Sequence, residues 1–196
     1  MKYFRRGIRL LCGIDEAGRG PLAGPVVAAA VVFDKKVKIR GVDDSKKLPQ
    51  IERREELYEK IMNQAAAVGI GIVDNGKIDR INILAATLMA AQEALKGLKE
   101  NPDYIITDFL KIKRAPAPVE FFAGGDSKSH AIGAASIIAK VTRDRIMIAE
   151  HEKYPYYNFA RNKGYGTPEH LIALQKYGPC PIHRLTFNGV TNQTFL

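Results

Sequence analysis

Short apolar runs alternate with amphipathic stretches along the chain, and their order predicts an α/β architecture. Runs of four to nine residues rich in Val, Ile, Leu and Ala have the length and composition of buried strands. Five such runs lie at residues 10–14, 25–33, 67–73, 104–107 and 119–123. The first three follow one another closely enough to form a meander, whereas the last two are reached through helices and should pair in parallel.

Apolar residues at helical spacing predict the segments between these strands to be helices. Leu57, Ile61 and Ala65 repeat at steps of four within residues 50–67. Thr167 and Pro168 are typical of an N-cap and a first helical position, so a short helix should run from there to residue 176. Longer helices are predicted at residues 81–98 and 129–151.

These elements predict one α/β domain over residues 1–196, with a mixed sheet and a helical C-terminal part from about residue 152. The sequence has no internal repeat and no low-complexity segment. The two cysteines, Cys12 and Cys180, form no metal-binding cluster, and reduced thiols are expected. No apolar run reaches the ~18 residues of a membrane span. We therefore expect a cytoplasmic protein.

The charge balance favours an anionic partner. The chain carries 30 Lys and Arg against 21 Asp and Glu, a net charge of +9. Nucleic acid and a membrane surface both attract such a chain. An indifferent basic surface explains the charge equally well, so the partner must be identified from particular residues.

Four acids follow predicted strands or precede the longest predicted helix: Asp15, Glu16, Asp108 and Asp126. Ligand sites in parallel α/β sheets gather at the carboxyl ends of strands. Clustered carboxylates need a cation, and hard divalent ions such as Mg²⁺ or Mn²⁺ prefer oxygen ligands. Two such ions about 4 Å apart form a phosphodiester-cleaving site.

Each acid taken singly also has a structural interpretation. Asp126 can cap a helix, and Asp108 can begin a turn. The adjacent pair is harder to explain structurally, but neighbours on a strand face opposite ways. We therefore expect a local twist or bulge at Glu16 if it is to share a metal site with Asp15.

Seven motifs in this order resemble those of the bacterial ribonuclease HII family over residues 12–183. They are GIDEAGRGPLAGPVVAAAV, DDSKKL, INILAATL, GDSKS, ASIIAKVTRDR, KGYGTPEHL and YGPCPIHR. The resemblance implies a ribonuclease H-like fold, a five-stranded mixed sheet flanked by helices. It also implies metal-dependent cleavage of RNA in RNA–DNA hybrids and at ribonucleotides embedded in DNA, on the 5′ side of the ribonucleotide, leaving 3′-hydroxyl and 5′-phosphate ends.

The resemblance also assigns residues. Asp15, Glu16, Asp108 and Asp126 match the family's metal-binding acids. Gly18, Arg19 and Gly20 match the triplet that reads the ribose 2′-hydroxyl, Tyr165 matches a tyrosine that packs on the sugar, and Lys46 matches a phosphate contact. The chain departs from the family pattern at Gly124, often Lys, and at Phe109, often Gly.

The substrate-binding residues have plainer interpretations as well. Gly18-Arg19-Gly20 can be an ordinary turn, Lys46 a solvated charge and Tyr165 a surface ring. A polar stripe at three- and four-residue steps on the long helix can line the site or merely pair along the helix. That stripe contains Ser136, Lys140, Arg143 and Asp144. His183, beside Arg184, is a further candidate for supporting the substrate.

Two other functional classes fit a carboxylate cluster on this fold. One is a DNA nuclease or resolvase, and the other is a non-catalytic nucleic-acid-binding module. The C-terminal NQTFL has the outline of a peptide that binds a sliding clamp, although a frayed tail explains it more simply. We expect a monomer.

Overall fold

The fold is built on one five-stranded mixed sheet. The computed structural model describes residues 3–42, 51–108, 110–122 and 129–191. Spatially the strands follow the order β3-β2-β1-β4-β5. They are β1 (Leu10–Ala17), β2 (Val26–Asp34), β3 (Ala67–Val73), β4 (Tyr104–Asp108) and β5 (Val119–Phe122).

The pairing directions follow from how the strands are connected. β1, β2 and β3 form an antiparallel meander, as expected for strands joined through short distances along the chain. β4 pairs in parallel with β1 on one side and with β5 on the other. The carboxyl ends of β1 and β4 therefore meet at one edge of the sheet. Both the predicted meander and the predicted parallel pairing are confirmed.

Helices cover both faces of the sheet. In the described parts of the chain they are α1 (Ile51–Gln64), α2 (Asn75–Ile81), α3 (Ile83–Lys96), α4 (His130–Lys153), α5 (Phe159–Asn162) and α6 (Pro168–Tyr177). α1 and α4 pack on the face that carries Leu11, Val27 and Ile106. α2 and α3 pack on the face that carries Ile14 and Ala28.

Helix α4 lies unusually close to β1. A Cβ atom added at Gly13 would stand 2.1 Å from the carbonyl carbon of Ala131, so no larger residue fits there. This contact places the first turn of α4 against the strand that carries Asp15 and Glu16. The long helix and the acidic pair are thereby brought to the same edge of the sheet.

The C-terminal helices form a third apolar cluster. Phe159 of α5 and Leu174 of α6 pack with Ala23 and Met147, which ties this part to the loop after β1. Helix α6 begins as predicted, because the Thr167 hydroxyl accepts a hydrogen bond from the amide of His170. Among the residues that the structure describes, no helix combines the length and apolar character needed to cross a bilayer.

The structure corrects three element predictions. β1 continues through Ala17 instead of ending at residue 14, because Asp15 and Glu16 stay paired with Ala29 and Ala28 of β2. The helix predicted at residues 81–98 is confirmed as α3 with slightly shorter bounds, but α2, which precedes it, was not predicted. Asn82 separates them with a φ of 65° and caps α3 by accepting from the Ala85 amide. The four-residue helix α5 was not predicted.

Candidate active site

Three of the four predicted acids lie at the carboxyl ends of the two central parallel strands. The β1–β4 ladder ends at Ile14 and Thr107, and Asp15 and Asp108 are the next residues on each strand. Strand alternation puts Asp15 on the face of Gly13 and Asp108 on the face of Ile106, which is the face covered by α4. The sheet thus brings these two acids side by side from positions 93 residues apart.

Glu16 is partly buried, and its environment favours a proton. Burial raises the pKa of Glu16 to about 7, with further increases from the charges of Asp15 and Asp108. Its Oε1 accepts a hydrogen bond from Nη1 of Arg19 at 3.2 Å, which opposes the increase. Its buried Oε2 has no hydrogen-bond partner among the described residues. An oxygen in this state is available to a cation.

The expected bulge at Glu16 is absent from β1. Strand β1 pairs with β2 residue by residue from Leu10 to Ala17, without an insertion. Glu16 lines the cleft from near the end of a regular strand, just before the chain leaves the sheet at Gly18. The predicted bulge was therefore wrong, since regular pairing with β2 continues through Ala17.

A cleft of about 390 Å³ opens beside Glu16. It is lined by the Gly-Arg-Gly triplet, by Tyr165 and by side chains from α1 and α4, including Arg54, Ser136, Lys140 and Arg143. The structure therefore brings together Glu16, Gly18, Arg19, Gly20 and Tyr165, all of which were predicted as site residues from the sequence.

The two glycines of the triplet differ in their surroundings. Gly18 has a φ of 96°, and a Cβ added there would lie 2.1 Å from Nε of Arg143. Gly20 has space, since an added Cβ would only touch the ring of Tyr165 at 3.7 Å. Gly18 is thus required by the backbone and packing, whereas Gly20 leaves the gap between the triplet and Tyr165 open.

Tyr165 is held on a rigid turn with its ring exposed. The Gly164 carbonyl accepts a hydrogen bond from the Leu22 amide at 2.8 Å, which links this turn to the loop after β1. The Tyr165 carbonyl accepts from the Thr167 amide and from Nδ1 of His170. Tyr165 is 46% exposed, which leaves an aromatic surface on which a ligand can stack.

The predicted polar stripe of α4 has divided roles. Ser136 and Lys140 line the cleft, and Nζ of Lys140 pairs with Asp144 at 2.5 Å. Arg143 is buried and donates to the carbonyl oxygens of Ala23, Pro25 and Lys163. The helical spacing predicted that Arg143 faces the site, but it did not predict that its guanidinium binds backbone carbonyls.

Some predicted residues cannot be placed. Asp126, Lys46, Phe109 and Gly124 lie outside the described residues. Within the described ranges, no three His, Cys, Asp or Glu side chains converge closely enough to hold a metal ion by themselves. The four-acid site therefore stays a prediction that depends on Asp126, which stands three residues before the N-cap of α4.

Comparison with known proteins decides the family. The family model for Ribonuclease HII matches residues 12–190. This chain belongs to the ribonuclease HII family. A Ribonuclease HII from Caldanaerobacter subterraneus is 54% identical over 186 residues, which cover 95% of this chain and 77% of that protein. The chain is accordingly an enzyme, a ribonuclease H that cleaves RNA in RNA–DNA hybrids.

Solved structures confirm the ribonuclease HII fold. The ribonuclease H2 from Pyrococcus horikoshii superposes with a TM-score of 0.81 at 30% identity, covering 92% of this chain and 95% of that one. The RNase HII from Archaeoglobus fulgidus, solved as a complex with PCNA, superposes with a TM-score of 0.70 at 29% identity. That match covers 86% of this chain and 88% of the other.

Proposed function

We propose that this ribonuclease HII is a divalent-metal-dependent endonuclease that also cuts at single ribonucleotides embedded in DNA. Cleavage falls on the 5′ side of the ribonucleotide and leaves 3′-hydroxyl and 5′-phosphate ends. The observation that carries this proposal is the adjacency of Glu16 to Gly18-Arg19-Gly20 in one cleft. Carboxylates for the cut and backbone groups for the ribose are provided within six consecutive residues, Asp15 to Gly20.

The acids have the chemistry that a hard cation requires. Asp15, Glu16 and Asp108 supply only oxygen donors, and a buried oxygen of Glu16 has no hydrogen-bond partner among the described residues. Together with Asp126 they would hold Mg²⁺ or Mn²⁺, with two ions as the expected number. The bound ions would supply an activated water and stabilise the leaving oxygen.

The remaining residues bind and orient the substrate. Gly18 and Gly20 let the backbone approach a 2′-hydroxyl, the group that distinguishes RNA from DNA. Arg19 and Lys46 would contact phosphates, and the exposed ring of Tyr165 would pack on the sugar at the RNA–DNA junction. Lys140 lines the same cleft and adds positive charge there.

One assay distinguishes this proposal from its alternatives. A DNA duplex with one ribonucleotide and an all-DNA control are each incubated with Mg²⁺, with Mn²⁺ and with chelator. Cleavage only where ribose and metal are both present supports the proposal. Cleavage of both duplexes indicates a DNA nuclease or resolvase, and binding without cleavage indicates a non-catalytic module.

Replacing either central acid tests the catalytic assignment. Asp15→Asn and Asp108→Asn are expected to abolish cleavage, because an amide cannot supply the negative charge that holds the cation. Folding and duplex binding should be retained, as both residues lie at the end of the sheet. Thermal unfolding and gel-shift measurements provide the controls. Full activity in either variant would remove these acids from the site.

Tyr165→Ala tests recognition at the junction. Loss of the ring is expected to lower cleavage at a single embedded ribonucleotide by about 10-fold or more, since stacking on an aromatic ring is worth about 1–3 kcal/mol. Tyr165→Phe is the matched control and should stay close to the unaltered enzyme. An unchanged rate for Tyr165→Ala would exclude Tyr165 from substrate binding.

Binding to a sliding clamp is a second possibility for the C-terminus. The relative from Archaeoglobus fulgidus was solved with PCNA. In this chain the sequence NQTFL occupies residues 192–196, outside the described residues. Removal of these five residues should weaken binding to a purified sliding clamp while leaving cleavage of free duplex unchanged.

A further inference from the structure

Arg184 is fully buried, and its guanidinium contacts the loop that follows β1. Its Nη2 donates to the carbonyl oxygen of Gly18 at 2.6 Å, and its Nη1 donates to that of Arg19 at 3.1 Å. Nε donates to the Gly24 carbonyl at 3.0 Å, and Nη2 also reaches the Pro25 carbonyl at 3.2 Å. One rigid fork thus holds both ends of the loop.

These contacts fix the orientation of two peptide groups. No peptide bond among the described residues is cis. In a planar trans peptide the C=O and N–H bonds point in opposite directions. Because the carbonyls of Gly18 and Arg19 point inward to Arg184, the amide hydrogens of Arg19 and Gly20 point outward. The cleft is lined by Gly18, Arg19 and Gly20 together with Tyr165, and Arg184 is not among its lining residues.

We propose that Arg184 is a positioning residue for ribose specificity, which holds the Arg19 and Gly20 amides toward the 2′-hydroxyl of the substrate. This inference rests on the proposed function, because it assumes that the triplet meets the ribose. Arg184 itself touches no substrate. It acts through the backbone of the triplet.

The chemistry of the contact favours this role over simple packing. Burying a cation is costly, and an apolar side chain would fill the same space more cheaply. The burial of Arg184 and the nearby charge of Arg143 lower its pKa to about 9. An arginine offers donors in a fixed planar fork, which a lysine cannot reproduce. The guanidinium offsets this cost because it orients several carbonyl groups at once.

Arg143 provides a useful contrast. It is equally buried and donates to the carbonyls of Ala23, Pro25 and Lys163. Both arginines therefore support the loop after β1, but of the two it is Arg184 that donates to the triplet's own carbonyls, those of Gly18 and Arg19.

The test uses Arg184→Lys in the full chain and separates two kinetic quantities. The first is kcat/KM for a DNA duplex with one ribonucleotide. The second is the inhibition constant of the same duplex without ribose, used as an uncleaved competitor. Arg184→Lys should lower kcat/KM about tenfold, the effect of one misplaced hydrogen bond, with the inhibition constant changed less than twofold.

Tyr157→Phe is the matched control. It removes a hydrogen bond from the Tyr157 hydroxyl to the Gly178 carbonyl in the same C-terminal part, without touching the triplet. Both kinetic quantities should stay at the values of the unaltered enzyme. A general loosening of the C-terminal part would instead change both variants alike.

Three results would overturn the inference. Full kcat/KM in Arg184→Lys would remove the ribose-specific role of Arg184, and so would an equal loss of affinity for both duplexes. If the unaltered enzyme shows no preference for the ribonucleotide, the proposed function fails and this inference fails with it. The first two outcomes leave the proposed function intact.

A second measurement covers the case in which Arg184→Lys does not fold. The amide NMR signals of Arg19 and Gly20 are compared in the unaltered chain bound to the two duplexes, with chelator present. The ribonucleotide should shift these two amides relative to the all-DNA duplex. Identical signals in the two complexes would overturn the inference.

Discussion

At the scale of single residues, the cleft depends on how closely backbone and side chains approach at Gly18. Its positive φ is strained for any residue with a side chain, and Nε and Cδ of Arg143 occupy the space that a Cβ would need. Arg143 cannot move away easily, because its guanidinium is bonded to three carbonyls. The strand end, the triplet and helix α4 are therefore fitted to one another at this point.

Gly18→Ala is expected to lower the free energy of unfolding by about 1–3 kcal/mol, through backbone strain and overpacking. Urea denaturation measures this change. Gly178→Ala is the control for strain alone, since Gly178 has a φ of 70° and nothing within 4 Å of an added Cβ. Gly18→Ala should cost more than Gly178→Ala, and equal losses would contradict the close packing against Arg143.

At the scale of elements, helix α6 is joined to the segment after it by two buried histidines. The Nε2 atoms of His170 and His183 lie 3.0 Å apart. The Tyr165 carbonyl can only accept, so Nδ1 of His170 carries the hydrogen. The Cys180 amide donates to Nδ1 of His183, which leaves the hydrogen of His183 on Nε2 to donate to His170. Both rings are therefore neutral, and the chain of bonds ends at the turn that carries Tyr165.

Acid should weaken this connection. Burial, followed by the proximity of His170, lowers the pKa of His183 to about 4, and burial also lowers the pKa of His170. The unfolded chain then takes up protons before the folded one. The contribution of the two histidines to the free energy of unfolding is fully present above pH ~6.5. It is lost as the pH falls toward 4, by roughly 3 kcal/mol for His183.

Urea denaturation between pH 7.5 and 4.5 measures this loss. His183→Asn removes the group that titrates, so the difference in stability between the unaltered chain and the variant should shrink as the pH falls. Tyr157 and Cys180 also face the pair, but neither changes charge in this range. A constant difference across the range would contradict the neutral pair.

At the scale of the whole molecule, some of the basic residues behind the net charge of +9 lie along the cleft. Arg19, Arg54 and Lys140 line the cleft beside the acids. A duplex with its phosphates along this cleft would displace counterions, so binding should weaken as salt rises.

The logarithm of the affinity for a duplex should fall with the logarithm of salt concentration, with a slope of about −2 to −3 for two or three phosphate contacts. Arg19→Ala should reduce the size of this slope by about one. Arg9→Ala is the control, because Arg9 is exposed at the opposite end of β1 and pairs with Asp103. A slope near zero would contradict binding through phosphates.

The sequence predicted the elements best where a pattern is local. Strand β3 was predicted with its observed bounds, and the cap at Thr167 follows from two adjacent residues. The predicted end of β1 was wrong because pairing with a neighbouring strand determines where β1 ends. β1 extends past Glu16, since Asp15 and Glu16 pair with alanines of β2. Helix α2 was missed because its seven residues are mostly polar and only Ile78 among them is buried.

The candidate site was likewise predicted in part from local motifs and determined in part by tertiary contacts. The sequence by itself indicated the family and predicted the acids, the triplet and Tyr165 as site residues, because these residues stand in contiguous motifs. Only the tertiary structure decided that Asp15 and Asp108 are neighbours and that Arg143 and Arg184 lie beneath the triplet. The first arrangement depends on strand register, and the second depends on contacts between residues more than 100 positions apart. In the sequence alone, a buried arginine and an exposed one look alike. The physical reason is that burial and hydrogen-bond direction are properties of packing, which no local pattern records.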